Sequence, residues 1–198
     1  MGGLNDPSDN TGSPDQPIGP ANRTEEYLVR DLHAEGVWES SSHTRYGTVV
    51  FNVSGQVLLR EPTNHFGGFV WTFAKGGPHG DERPIETALR ETLEETGYRP
   101  AIVGHLPAAF RGGSTSSVNF FYLGFDTDGP KDRTAADGNG ETSALTWVHE
   151  AEARDLIAQS TDAGGRDRDL RTLEVACLEF AAVVAAAGLG ASTTDRDR

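Results

Sequence analysis

Residues 76 to 98 read GGPHGDERPIETALRETLEETGY, and this stretch limits the fold more than any other in the chain. Pro84 suits a first helical position, where its missing N–H costs nothing. Gly97 suits the left-handed residue that ends a helix. Between them Ile85, Ala88, Leu89 and Thr92 recur at helical spacing and form a face that must dock on a core. Beside that face Glu91, Glu94 and Glu95 stand at i, i+3 and i+4, which brings their Cβ atoms to about 5–6 Å. Like charges that close destabilise a bare helix. A hard divalent cation that prefers oxygen, Mg²⁺ or Mn²⁺, would offset the repulsion. The plainer alternative is a solvated acidic face in which Arg90 and Glu94 make an i, i+4 pair worth about 0.3–0.5 kcal/mol.

The spacing of Gly76, Glu82, Arg90, Glu91, Glu94, Glu95 and Gly97 resembles the box of the Nudix hydrolases at each charged and glycine position. Thr92 departs from the pattern, since the family more often has an aliphatic residue there. The flanks agree: an apolar hairpin, VVFNVSGQVLLRE, comes before, and Trp71-Thr72-Phe73-Ala74-Lys75 leads into the glycine-rich loop. The resemblance implies an α/β fold, a Nudix-type α/β/α sandwich with a mixed β-sheet. The residues point the same way. Strand-like runs at 45–53, 56–60, 69–73, 101–105, 117–125 and 143–148 alternate with helical patterns at 84–96, 150–159 and from about Asp169 onward. On the last of these, Leu170, Leu173, Cys177, Phe180, Ala181 and Val184 share one stripe.

The reaction implied by the resemblance is cleavage of a pyrophosphate bond in a nucleoside diphosphate linked to another group, whether a dinucleoside polyphosphate, an NDP-sugar or ADP-ribose, or an NTP. Glu91, Glu94 and Glu95 would be ligands of Mg²⁺ or Mn²⁺, with the backbone carbonyl of Lys75, and Glu82 would support the metal shell. Arg90 would hold one of these glutamates in its rotamer. The general base is sought in the box, at Glu91 or Glu94, or in the later loop at Glu141, for which a solvated loop acid is the equal alternative. Asp128 and Asp137 are weaker candidates for that task. Arg45, Arg60, Lys75 and Arg111 are the cations available to substrate phosphates. Of the aromatics Tyr46, Phe66, Trp71, Phe110 and Phe121, most belong in the core by strand alternation, and Phe66 is expected to face substrate.

The markers of two Nudix subclasses are absent: Ser114 stands where a proline would mark ADP-ribose, and Thr115 where a tyrosine would mark dinucleoside polyphosphates. A non-catalytic sensor of a nucleotide such as ADP-ribose is the runner-up, although such sensors typically lose box glutamates. An enzyme that removes 5′ caps from RNA is less favoured. The formal net charge of −13 argues against a duplex-binding surface, so the expected partner is a small nucleotide or polyphosphate and not a nucleic acid. No run approaches the roughly 18 apolar residues of a membrane span, and Cys177 is the only cysteine, which excludes an internal disulfide. A cytoplasmic protein is expected, a homodimer being left open. Residues 1–22, rich in Pro, Gly, Asp and Ser, are expected to be a disordered tail before a domain at 23–190, with a flexible tail at 191–198.

Overall fold

The computed structural model describes residues 43–112, 117–127 and 140–188. Both expected tails lie outside them, as do Asp128, Asp137, Ser114 and Thr115. A mixed sheet runs in the order β4-β6-β1-β2-β7, built from β1 (Thr44–Asn52), β2 (Val57–Pro62), β4 (Ala101–His105), β6 (Val118–Asp126) and β7 (Thr142–Val148). Two short strands join it: β3 (Lys75–Gly76) pairs with β1, and β5 (Phe110–Arg111) pairs with β6. The central pair, β1 and β6, is parallel, and the other pairings are antiparallel.

Strands β1 and β6 are buried along most of their length because both faces of the sheet are covered. One face carries helix α1 (Pro84–Thr96), whose Ile85 and Ala88 pack on Tyr46 and Tyr122. The other carries α2 (Glu150–Ile157) and α3 (Ala163–Ala186), whose Ala153, Ile157, Leu173 and Ala176 close on Val49, Phe51, Leu59, Phe73, Phe121 and Leu123. This is the α/β/α sandwich that the sequence implied.

Three expectations are corrected. Residues 69–73 form no continuous strand; Thr72 makes an isolated bridge to Arg60, and the paired strand begins at Lys75. The last helix starts at Ala163, capped by the Asp162 carboxylate, which accepts from the Gly165 N–H. Asp169, where the sequence placed the start of the helix, is buried within it, and its carboxylate has side-chain partners. On the stripe, Ala181 is exposed, and Ala176 takes the buried position.

Candidate active site

The box helix is held by its own chemistry at both ends. Pro84 opens it, and Glu86 accepts the Arg83 backbone N–H at 2.9 Å, which satisfies one donor at the N-terminus. Gly97 closes it at φ 71° and donates its N–H to the Leu93 carbonyl. The unusual Thr92 has a partner in the sheet. Its hydroxyl donates to the Ala88 carbonyl and lies 2.6 Å from the Thr48 hydroxyl on β1, so Thr48 must be the donor in that second bond.

One side of the acidic face is organised by Arg90. Its guanidinium donates to Glu82 from Nε and Nη2 (2.8 and 3.0 Å), to Glu91 and Glu94 from Nη1 (2.8 and 3.0 Å), and to the Gly77 carbonyl. A single arginine thus offsets three glutamates, where sequence reasoning expected it to hold one. The Arg90 hydrogen bonds hold the Glu82 carboxyl down to about 2, assisted by the His79 N–H and the Thr87 hydroxyl. Glu91 responds in the opposite direction: burial lifts it above the usual carboxylate range in spite of Arg90. Its carboxylate lies directly against Gly76, where a Cβ would come within 2.1 Å of it. Only glycine leaves that space.

Glu95 faces elsewhere. Its Oε1 pairs with Arg60 Nη1 at 2.9 Å and its Oε2 accepts the Lys75 backbone N–H at 2.9 Å, with both Arg60 and Glu95 almost fully buried. Burial pushes Glu95 up to about 7, against the pull of Arg60 and Lys75. Arg60 also donates to the Thr142 hydroxyl and the Glu141 carbonyl. Arg60, Lys75, Glu95 and Glu141 line a cavity of about 550 Å³. Arg45, Arg60, Lys75 and Arg168 supply its cations, Glu95 and Glu141 its carboxylates, and Phe66 and Phe69 its aromatic rings. Lys75 donates from Nζ to the Thr72 hydroxyl and the Phe73 carbonyl, and burial, then the charge of Arg168, lowers it to about 8. Asn119, fully buried in the wall, donates to the Phe110 and Ser117 carbonyls, while its Oδ1 accepts nothing among the described residues.

The donor set suits a hard cation in part. Among the described residues Glu91 Oε2 and Glu94 Oε1 make no hydrogen bond; the two carboxylates stand three residues apart on the helix, that of Glu91 against Gly76. Both oxygens of Glu95 are engaged, and among the described residues no three acidic, histidine or cysteine side chains converge at metal-ligand spacing. Glu91 and Glu94 are therefore the pair that fits; Glu95 would have to exchange a partner.

The NUDIX domain pattern matches residues 41–168, which takes in the box, the cavity and the sheet between them. The chain belongs to the NUDIX family. RNA pyrophosphohydrolases of Xylella fastidiosa and Gluconacetobacter diazotrophicus are 38% and 36% identical to it over 68 and 63 residues. Those alignments cover 33% and 29% of this chain and 34% and 38% of the relatives, so the chain spans little more than a third of the proteins it matches. Among solved structures it resembles an Ap4A hydrolase of C. elegans in a binary complex (TM-score 0.52, 19% identity, 72% of this chain and 98% of that one). It also resembles the NUDIX domain of Shewanella oneidensis NrtR complexed with ADP ribose (TM-score 0.54, 20% identity, 76% and 97%). At these identities the likeness is one of fold.

Within this Nudix domain the tertiary structure gathers Arg45, Arg60, Lys75, Phe66, Glu95 and Glu141 around one cavity. Arg111 is a correction: it is exposed on β5 and is not among the lining residues, and its carbonyl accepts from Arg171. Tyr46, Phe110 and Phe121 are core, whereas Phe66 is 83% exposed at the rim, on a turn in which Asn64 and His65 take positive φ. Sequence reasoning missed Arg168, Phe69 and Asn119. Arg168 sits in the helical run before the expected helix start, and an arginine there gives no periodic signal.

Proposed function

We propose that this Nudix domain is a Mg²⁺- or Mn²⁺-dependent pyrophosphohydrolase of the cytoplasm, acting on a nucleoside diphosphate linked to a further phosphate-bearing or sugar group. The observation that carries the reading is the juxtaposition of two carboxylates with free oxygens, Glu91 and Glu94, and a cavity lined by four basic side chains in a protein of net charge −13. Glu91 and Glu94 would hold the ion, with Glu95 and the Lys75 carbonyl as further ligands and Glu82 in support. The bound metal supplies charge neutralisation at phosphorus and a water of lowered pKa. Arg90 keeps the box carboxylates in place, and Gly76 lets Glu91 reach the loop. Arg45, Arg60 and Lys75 draw the substrate phosphates inward, and Phe66 offers a ring at the mouth. Glu141, on the rim of the same cavity, is our choice of general base.

The decisive experiment is a phosphate-release screen of dinucleoside polyphosphates, NDP-sugars, ADP-ribose, NTPs and 5′-triphosphate RNA, with either metal and with chelator. Activity should vanish in chelator and return with metal; turnover in excess chelator would overturn the reading. RNA is included because both RNA pyrophosphohydrolases are similar to this chain. Glu94→Gln should lower kcat by about a hundredfold or more. Glu141→Gln should depress kcat with metal affinity unchanged, and a change within about twofold in both would return the search for the base to the box.

A further inference from the structure

Arg168 and Asp169 open the buried part of α3, and both are almost wholly enclosed. Arg168 Nε donates to Asp169 Oδ1 at 2.8 Å. Its Nη2 makes an ion pair with the same oxygen at 2.8 Å but, among the described residues, no hydrogen bond. Nη1 reaches only the Gly112 carbonyl, at 3.4 Å. A guanidinium presents five donors in a planar fork, and burying it with so few of them used is costly unless something else accepts. The other oxygen of Asp169 accepts from the Thr72 hydroxyl at 2.7 Å, and that hydroxyl accepts from Lys75 Nζ at 3.0 Å. One phenylalanine ring, Phe69, serves both cations: Lys75 Nζ is 5.5 Å and Arg168 Cζ 5.0 Å from its centroid. Gly165 gives that ring its room, since a Cβ there would meet it at 2.3 Å.

Two cations are thus fixed around one ring with one buried carboxylate between them, and both line the cavity. Repulsion between them raises the cost of the arrangement, and an apolar packing of similar volume would be cheaper for stability alone. Arg45, Arg60, Lys75 and Arg168 line the cavity against Glu95 and Glu141, with Asp169 behind Arg168, and the remaining positive charge favours an anion there. We propose that Arg168 and Lys75, positioned by Asp169 through Thr72, form an anion subsite that takes one phosphate group of the substrate. This rests on the pyrophosphohydrolase reading for the identity of the ligand and extends it to a helix outside the box. Arg168 touches the phosphate; Asp169 and Thr72 act through the two cations.

The test is calorimetric binding of inorganic tripolyphosphate to the full chain in chelator, so that neither metal nor turnover contributes. The wild type should bind. R168M/D169N removes the buried pair together, leaves no orphaned carboxylate, and should weaken binding by about tenfold or more. T72V, which leaves Arg168 and Asp169 paired, should weaken it by roughly three- to fivefold, and T72S should restore it. Absence of binding by the wild type, or wild-type affinity in a double variant whose circular dichroism is native, overturns the subsite. Should the double variant not fold, T72V decides, and wild-type affinity there overturns the proposal. Tripolyphosphate binding without hydrolysis of any screened substrate would sink the enzymatic reading and leave the subsite standing.

Discussion

Two arginine–glutamate assemblies flank the box helix, and they are built on opposite principles. Around Arg90 one guanidinium is shared by Glu82, Glu91 and Glu94 at a rim where Glu94 is 40% exposed. Around Arg60 the Glu95 carboxylate, 6% exposed, is clamped between a guanidinium and the Lys75 N–H. Glu94 and Glu95 are neighbours in sequence, yet one can give an oxygen to a cation at once and the other must first break a buried pair. Their electrostatics also diverge. Hydrogen bonds from Arg90 hold Glu82 down to about 2, whereas burial lifts Glu95 to about 7. Helical spacing brings carboxylates together; what they are worth depends on what the rest of the fold sets against them.

The largest effect should come from breaking the buried assembly. Arg60→Met should cost about 3–5 kcal/mol at pH 8, since it leaves the Glu95 carboxylate buried without its cation. A loss below about 1 kcal/mol in urea unfolding would mean that the two assemblies do not differ. The pH dependence sharpens the contrast. Glu95 titrates higher in the fold than its ordinary 4.5, so its contribution is fully present below about 4.5 and is lost as pH rises through about 7. Removing Arg60 should lift Glu95 further, and the gap between wild type and Arg60→Met should widen with rising pH. Glu82 is the reverse case: its contribution is present above about 4.5 and lost as pH falls toward 2, so the gap between wild type and Arg90→Met should close in acid. Curves that move in the same direction would remove the distinction.

An intermediate effect is expected at the joint that fixes the helix between these assemblies. Thr92→Val should cost about 1–3 kcal/mol by leaving the Thr48 hydroxyl buried without an acceptor, while Thr48→Val/Thr92→Val together should be close to neutral. A double variant no better than the single would place the cost in helix packing. The smallest effect belongs to the exposed rim. Glu94→Gln should change stability by less than about 0.5 kcal/mol, because a half-exposed pair is worth little and the charge cluster loses a member. A larger loss would show that Arg90 depends on all three glutamates.

Much of this protein is written locally. Pro84, Gly97 and the Ile85–Ala88–Leu89–Thr92 face determine the box helix and the side by which it docks, because capping and a 3.6-residue period act within a few turns. The run of β-branched and aromatic residues in β1 and β6 determines a sheet covered on both faces, and the seven box positions determine the family. Other features depended on residues far apart in the chain. That Thr92 serves Thr48, that Glu95 belongs to Arg60 and not to the Glu91–Glu94 pair, and that Arg111 is not among the cavity's lining residues followed only when β1, β2 and β5 were in place. The same holds for Asp169, whose type suggests a helix cap but which is buried opposite Thr72. Arg168 gave no signal at all, since a guanidinium becomes a cavity wall only through the approach of Phe69 and Lys75 from another part of the sequence. Spacing along one helix sets which charges can meet; desolvation and counter-charges, which come from other elements, set which of them remain paired.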